Sequence, residues 1–182
     1  NGLSWQTERP WFETRYHQAL RNLRKSSPKS FSQIYDSMQA NAALLSATLK
    51  PSILDIAGDI LGVRDFELAT TSPMLRMDPP FDQRNSLDWH QERSYYHQND
   101  NGDHGLVIWL PIMDAFEEHG AMRVRPNSHR KGWVKPLYDP QTDQLSSQQY
   151  VVPQAVLDSY PAHQIEVTRG TAVFFSFHLF HQ

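Results

Sequence analysis

Apolar residues recur at helical spacing through the first third of the chain. Residues 11–23 place them on one face, and basic side chains follow at the carboxyl end. Ser30 is the predicted cap of a second helix whose apolar face continues to Leu45. Pro51 suits the first turn of a third helix, which Gly62 is predicted to end. These stripes are typical of packing against a sheet, and we assign no chemistry to them.

From Phe66 onward, short apolar runs alternate with turns rich in Pro, Gly, Asn and Asp, which predicts many short strands. The predicted strands cover residues 66–70, 74–78, 89–93, 106–113, 122–125, 165–167 and 171–175. Strands after a helical block indicate a mainly β, α+β domain, a barrel or sandwich with the N-terminal helices packed on one side. Residues 136–164 are polar and contain several prolines, which is typical of a long excursion that serves as a lid or substrate wall.

Length and composition fit a single domain over residues 1–182, helical over about 1–65 and β-rich over about 66–182. The formal net charge of -3 argues against nucleic acid or an anionic membrane as a partner. Cysteine is absent, so a metal site would need histidine and carboxylate ligands. No apolar run reaches the roughly 20 residues of a membrane-spanning helix, and no signal peptide is recognisable, so we expect a cytoplasmic protein. The chain lacks an initiator Met and stops directly after an apolar run, so we expect a truncated C terminus.

A His-x-Glu pair at His90 and Glu92 is the first candidate for chemistry. In an extended segment, side chains two residues apart point to the same face, so an imidazole nitrogen and a carboxylate oxygen would converge. Aromatic residues flank the pair, which indicates a walled position. A third ligand is available near the C terminus, where His178 and His181 lie in an apolar strand end. Two histidines and one carboxylate, with other coordination positions open, suit an Fe(II) oxygenase.

Several blocks in one order give the chain a family resemblance. They are Trp-His-Gln-Glu at residues 89–92, Trp-Leu-Pro-Ile-Met-Asp at 109–114, the segment 117–132 with Pro-Asn-Ser-His, and Arg-Gly-Thr-Ala-Val-Phe-Phe at 169–175 running on to the final histidines. Over about residues 66–182 the chain resembles the phytanoyl-CoA dioxygenase-like family of Fe(II)/2-oxoglutarate oxygenases. The resemblance implies a double-stranded β-helix, that is, a jelly-roll or cupin-like fold, with the metal at one open end. The family pattern is His-x-Asp, from which Glu92 departs.

The resemblance also implies roles for individual residues. It makes His90, Glu92 and His181 the metal ligands and catalytic residues, because the distal histidine of the family lies about eleven residues beyond the glycine that here is Gly170. His178 is the alternative candidate for the distal metal ligand. If it is not the ligand, we expect it to be a packed or rim histidine. The family's basic anchor for the 2-oxoglutarate C5 carboxylate would lie beyond the end of this chain.

Three further residues are candidates for the 2-oxoglutarate pocket. By resemblance, Gln91 and Trp109 line it. Arg76 is a weaker candidate, because an isolated arginine in a strand is more often an exposed salt-bridge partner.

The function implied is hydroxylation of a C–H bond in a small organic metabolite. The reaction would need Fe(II) as the bound metal. It would consume 2-oxoglutarate and dioxygen and release succinate and CO2. Two alternatives remain open: a non-catalytic binding domain on the same scaffold, and a cupin-like metal enzyme that uses no 2-oxoglutarate. The missing C-terminal anchor and the glutamate at position 92 motivate the first of these alternatives. A small-molecule substrate is the expected partner in the enzymatic cases.

Overall fold

A computed structural model describes residues 14–70, 73–78, 86–96, 104–138 and 150–182. The chain divides into two compact units: Asn1–Asp55 with Asp65–Phe81, and Ile56–Arg64 with Asp82–Gln182. The prediction of one domain, helical over about 1–65 and β-rich over about 66–182, stays a prediction. No helix among the described residues is long and apolar enough to cross a membrane.

The helices are α1 (Thr14–Ser26), α2 (Pro28–Ser37), α3 (Ala42–Thr48), α4 (Pro51–Leu61) and the short α5 (Gln154–Leu157). Residues 11–13 of the first predicted helix lie outside the described residues. The third prediction is confirmed, because α4 begins at Pro51 and is followed by Gly62 with φ 69°.

The second predicted helix is wrong in two respects. It begins at Pro28 rather than after Ser30, because proline suits the first turn, where its missing N–H is not needed. The helix also divides, because a 3-10 turn at Met38–Ala40 leads into Asn41, whose side chain accepts hydrogen bonds from Ala43 N–H and Leu44 N–H. That cap starts α3 as a separate helix.

In the described part of the chain, six strands pair into three antiparallel ladders. β1 (Leu106–Trp109) pairs with β6 (Val173–Ser176), β2 (Arg123–Val124) with β5 (His163–Gln164), and β3 (Leu137–Tyr138) with β4 (Tyr150–Val151). The predicted strands at 106–113, 122–125 and 171–175 are therefore confirmed in part. The strand predicted at 165–167 is shifted in the structure. β5 lies just before these residues, and of the three only Val167 forms a bridge, to Ala115.

Three other strand predictions are wrong. The strand predicted at 66–70 is absent, because Asp65–Glu67 forms a 3-10 turn and residues 68–70 form no strand. The strand predicted at 74–78 is absent as well, because residues 73–78 contain no strand. In the segment 89–93, only His90 forms a bridge before a 3-10 helix begins at Glu92. Short apolar runs fit a pleated strand locally, but they do not specify a pairing partner.

A row of backbone hydrogen bonds around His181 connects the segments of β2 and β4. His90 and His181 form an antiparallel bridge, and Val124 bridges His181 on its other side. Val152 N–H donates to Trp89 C=O at 2.8 Å, which adds the end of β4 to the row. The predicted excursion at 136–164 thus contributes hydrogen bonds to the row through its described residues 150–164. Its residues 139–149 lie outside the described part.

Two apolar clusters support this row. One contains Met122, Val124 and Phe175 with Leu179 packed against it, and the other contains Val152, Leu157 and Phe180. Leu179 and Phe180 are consecutive and contact different clusters. Phe180 is 0% exposed. The C-terminal segment is therefore fixed from both faces. The described chain is α+β with short strands.

Candidate metal centre

Three side chains from distant parts of the second unit meet at one point. His90, Glu92 and His181 each offer a ligand atom, and these atoms all lie within 4.8 Å of one another. Both histidines are buried, while the Glu92 side chain is 25% exposed. His181 Nε2 lies 3.6 Å from Glu92 Oε2. The cluster is therefore enclosed by protein on its histidine side and open on its carboxylate side.

Backbone pairing places the two histidines. His90 N–H donates to His181 C=O at 3.0 Å, and His181 N–H donates to His90 C=O at 3.1 Å. Residues directly opposite each other in an antiparallel pair present their side chains on the same face. The imidazole ring centroids are accordingly 4.1 Å apart. The bridge brings His181, rather than His178, to His90.

Glu92 reaches the same face although it is the first residue of a 3-10 helix. Gln91, between the two ligand candidates, has extended φ and ψ of -115° and 134°. One extended residue is enough to return the side chain of Glu92 to the face of His90. The turn is held to the C-terminal segment, because Arg93 N–H donates to Phe177 C=O at 3.1 Å.

Both imidazoles have one nitrogen occupied by a backbone carbonyl. His90 Nδ1 lies 2.7 Å from Asp88 C=O, and His181 Nδ1 lies 3.0 Å from Leu179 C=O. Since a carbonyl accepts only, each neutral ring carries its proton on Nδ1 and leaves the Nε2 lone pair for a cation. This arrangement is common for metal-bound histidine, whose outer hydrogen bond sets the tautomer and the ring orientation.

The donor set fits a divalent metal. Two imidazole nitrogens and one carboxylate oxygen are the protein ligands of non-haem Fe(II) sites, which leave further positions for exogenous ligands. Glu92 is the one acidic side chain of this cluster, and a bound cation would offset its negative charge. The residues present therefore fit an iron ion.

Gln91 is turned away from this centre and is fully engaged in hydrogen bonds. Its side chain is 0% exposed, and its Nε2 donates to His178 C=O at 2.7 Å and to Gly132 C=O at 2.9 Å. Its Oε1 accepts from Val134 N–H at 2.8 Å. Both amide protons are in use, so contact with a cosubstrate through Nε2 would require one of these bonds to break. In the structure, Gln91 ties the turn before His181 to the loop 132–134.

Trp109 and Arg76 lie in different surroundings. Trp109 ends β1 and packs against the cluster that contains Phe175, whose ring centroid lies 4.8 Å from that of His181. Arg76 belongs to the first unit, where its Nε lies 3.1 Å from Asp78 Oδ2. Both of those side chains are more than 40% exposed, at 44% and 45%. This is the exposed salt bridge that an isolated arginine favours.

Sequence reasoning missed Ser128 as a support for the centre. Its side chain is 0% exposed, and its Oγ accepts from Phe180 N–H at 2.9 Å, next to His181 in the chain. The Pro-Asn-Ser-His motif is the signal in the sequence; its serine is buried, whereas its histidine, His129, is exposed. Asn127, with φ 66°, directs the turn so that Ser128 points inward.

Tyr95 closes one side of the His90 ring. The two ring centroids lie 5.7 Å apart with an edge-to-face angle of 88°, and Tyr150 packs on Tyr95 at 5.0 Å. Burial raises the pKa of the Tyr95 hydroxyl, and the nearby Glu92 carboxylate adds to this, while the backbone of Tyr150 acts in the opposite direction. In the sequence, Tyr95 is one of the aromatic residues that flank the His-x-Glu pair.

A family model described as phytanoyl-CoA dioxygenase (PhyH) matches residues 8–182 of the chain. A search of curated proteins gave no match. The matched segment contains the three converging side chains and both apolar clusters.

Proposed function

Since the chain belongs to the phytanoyl-CoA dioxygenase family, as its motifs predicted, we propose that it is an Fe(II)- and 2-oxoglutarate-dependent hydroxylase. Its substrate would be a small organic metabolite with a C–H bond to be oxidised, and its coproducts succinate and CO2. Membership supports oxygenase activity in general terms. The observation that most favours the specific reaction is the meeting of His90, Glu92 and His181 at one point.

The three side chains would hold the metal through His90 Nε2, His181 Nε2 and a Glu92 oxygen. Bound Fe(II) supplies a centre that chelates 2-oxoglutarate and activates dioxygen. The protein orients these ligands through the Nδ1 hydrogen bonds to Asp88 and Leu179. The aromatic rings of Tyr95 and Phe175 exclude water from the two imidazoles.

For the cosubstrate we retain Trp109 as a pocket residue, because it shares a packed cluster with Phe175 beside His181. Gln91 would act on the pocket through the segments that it ties together. Arg76 remains the weakest of the three proposals, because its guanidinium is already paired with Asp78.

We also propose that the short ladders belong to a double-stranded β-helix. The cupin-like fold of the family supports this architecture, and so does the row of segments that pairs through His181. In such a fold, strands from distant parts of the chain pair around one barrel, which is consistent with bridges between segments near residues 90, 124 and 181.

The test is succinate formation by protein loaded with Fe(II) under anaerobic conditions and then mixed with 2-oxoglutarate, dioxygen and a broad panel of small metabolites. We expect Fe(II)-dependent succinate, lost in Glu92→Gln and retained in Glu118→Gln, which changes an exposed acid elsewhere. Stoichiometric iron binding without succinate for any panel member would overturn the proposal.

A second candidate is a metal enzyme of the same scaffold that does not use 2-oxoglutarate. Glu92, in place of the family's aspartate, favours it because an added methylene changes where the carboxylate meets the metal. Titration of the anaerobic Fe(II) protein with 2-oxoglutarate separates the two. The hydroxylase gives the weak visible charge-transfer band of the chelate, and the second candidate gives none.

A further inference from the structure

The hydroxyl of Tyr95 is a buried polar group beside the proposed metal ligands. Its oxygen is inaccessible to solvent, and among the described residues no acceptor takes its proton; the backbone of Tyr150 faces the oxygen as a donor, at a geometry short of a full hydrogen bond. The ring itself is fixed, because its edge-to-face contacts with His90 and Tyr150 constrain it from two sides. The phenol therefore presents a hydrogen-bond donor from a defined position next to His90.

Such a group is costly in the ligand-free protein. A buried hydroxyl without an acceptor loses its hydration and gains nothing in return, so native proteins rarely retain one without a reason. The ring alone would pack equally well as phenylalanine. The position of Tyr95, three residues after Glu92 and against the ring of His90, indicates that the missing acceptor belongs to a molecule bound at this centre.

The chemistry of the acceptor is restricted by the surroundings. A protonated phenol in a site with little water makes its strongest bond to an anionic oxygen. Glu92 is the nearby acid, but its carboxylate makes no hydrogen bond to Tyr95. A carboxylate brought by the cosubstrate would supply the acceptor at the proposed metal site.

We propose that the Tyr95 hydroxyl donates a hydrogen bond to a carboxylate oxygen of bound 2-oxoglutarate. The proposal rests on the proposed function, which makes 2-oxoglutarate the cosubstrate. It assigns Tyr95 a binding role that simple packing would not give.

The test is Tyr95→Phe, with Tyr96→Phe as the matched control. Tyr96 is the adjacent phenol, and its ring stacks on Phe177 with a centroid distance of 5.4 Å, away from the two imidazoles. Two quantities are measured: the thermal midpoint of the metal-free protein, and the Kd of 2-oxoglutarate for the anaerobic Fe(II) protein from its charge-transfer band. Calorimetry with the Zn(II) protein repeats the second measurement without iron.

We expect Tyr95→Phe to weaken 2-oxoglutarate binding about 10-fold, as the loss of a hydrogen bond to a charged group should. The thermal midpoint should be unchanged or higher, because the removed hydroxyl has no acceptor among the described residues of the ligand-free protein. Tyr96→Phe should leave the Kd of 2-oxoglutarate unchanged.

Two results for Tyr95→Phe would overturn the inference alone. One is a Kd within about twofold of the unmodified protein. The other is a midpoint lowered by several degrees, which would mean that the hydroxyl already has a partner. If the unmodified protein itself gives no band with 2-oxoglutarate and no heat with the Zn(II) form, the proposed cosubstrate is wrong, and this inference falls with it.

Discussion

The helices of the first unit and the segments around His181 differ in how far apart their hydrogen-bond partners lie in the chain. In α1, Gln18 pairs with Asn22 and Arg21, four and three residues away, and these groups are exposed. Around His181, Gln91 reaches His178 C=O across 87 residues, and the bond is buried. The first region is stabilised by local contacts, while the second depends on the folding of the whole unit.

This difference indicates where substitutions will matter. A local, exposed bond exchanges readily with water, so its loss costs little. A buried bond between distant segments fixes their relative position, and its loss leaves unpaired groups in the interior. The metal-ligand candidates belong to the second class, because His90 and His181 are held together only by non-local pairing.

The largest expected effect distinguishes His181 from His178, two histidines of the C-terminal segment. His181→Ala should weaken Co(II) binding by more than about 100-fold, because loss of a direct ligand should exceed the 10- to 100-fold cost of losing an outer-shell partner. His178→Ala should retain Co(II) binding, because His178 lies outside the cluster. Titration followed by the visible Co(II) spectrum measures both. Equal losses in the two variants would contradict this assignment.

The next effect compares two glutamines. Gln91→Leu removes one buried and two partly buried hydrogen bonds and should lower the free energy of unfolding by about 3 kcal/mol. Gln18→Leu removes exposed local bonds and should change it by less than about 0.5 kcal/mol. Denaturant unfolding of the metal-free proteins gives both values. If the two variants lose similar stability, the contrast between the regions is wrong.

A smaller loss is expected at Gly105. A Cβ at this position would overlap the ring of Phe177, which follows β6 and whose N–H donates to Gly105 C=O at 3.1 Å. Gly105→Ala should therefore cost about 2 kcal/mol through overpacking. The double variant with Phe177→Leu should recover part of that loss, since the smaller side chain makes room. Additive losses in the double variant would show that the ring is not the obstacle.

The smallest effect tests the local region. Asn41→Ala removes the side chain that caps α3 and should lower the free energy of unfolding by about 1 kcal/mol. Because this cap lies outside the second unit, the Co(II) affinity of the folded protein should not change. A change in Co(II) affinity measured well below the unfolding transition would show that the site depends on local helix stability.

The same division explains which features the sequence could predict. Pro51 and Gly62 bound α4 because their effects act within one helical turn. The spacing of His90 and Glu92 was informative for the same reason, since the two are separated by one extended residue. The choice of His181 over His178 needed the family resemblance, because no local pattern distinguishes two histidines in one apolar segment.

The remaining features depend on contacts that no local pattern specifies. The resemblance predicts that Gln91 lines the cosubstrate pocket, and this stays a prediction; the orientation of its side chain is set by the carbonyls of Gly132 and His178, which no local pattern specifies. The role of Ser128 could not be predicted locally, because its partner, Phe180 N–H, lies 52 residues away. The strand predicted at residues 74–78 is wrong, because no described segment pairs with it.

X-ray absorption of the anaerobic Fe(II) protein tests most directly whether His90, Glu92 and His181 bind one metal. The account predicts one iron per chain, with scattering from two imidazoles. The variant His181→Ala, measured at iron concentrations that still load it, should show one imidazole, and His178→Ala should show two. A site with fewer than two imidazoles in the unmodified protein, or an unchanged number in His181→Ala, would contradict the account.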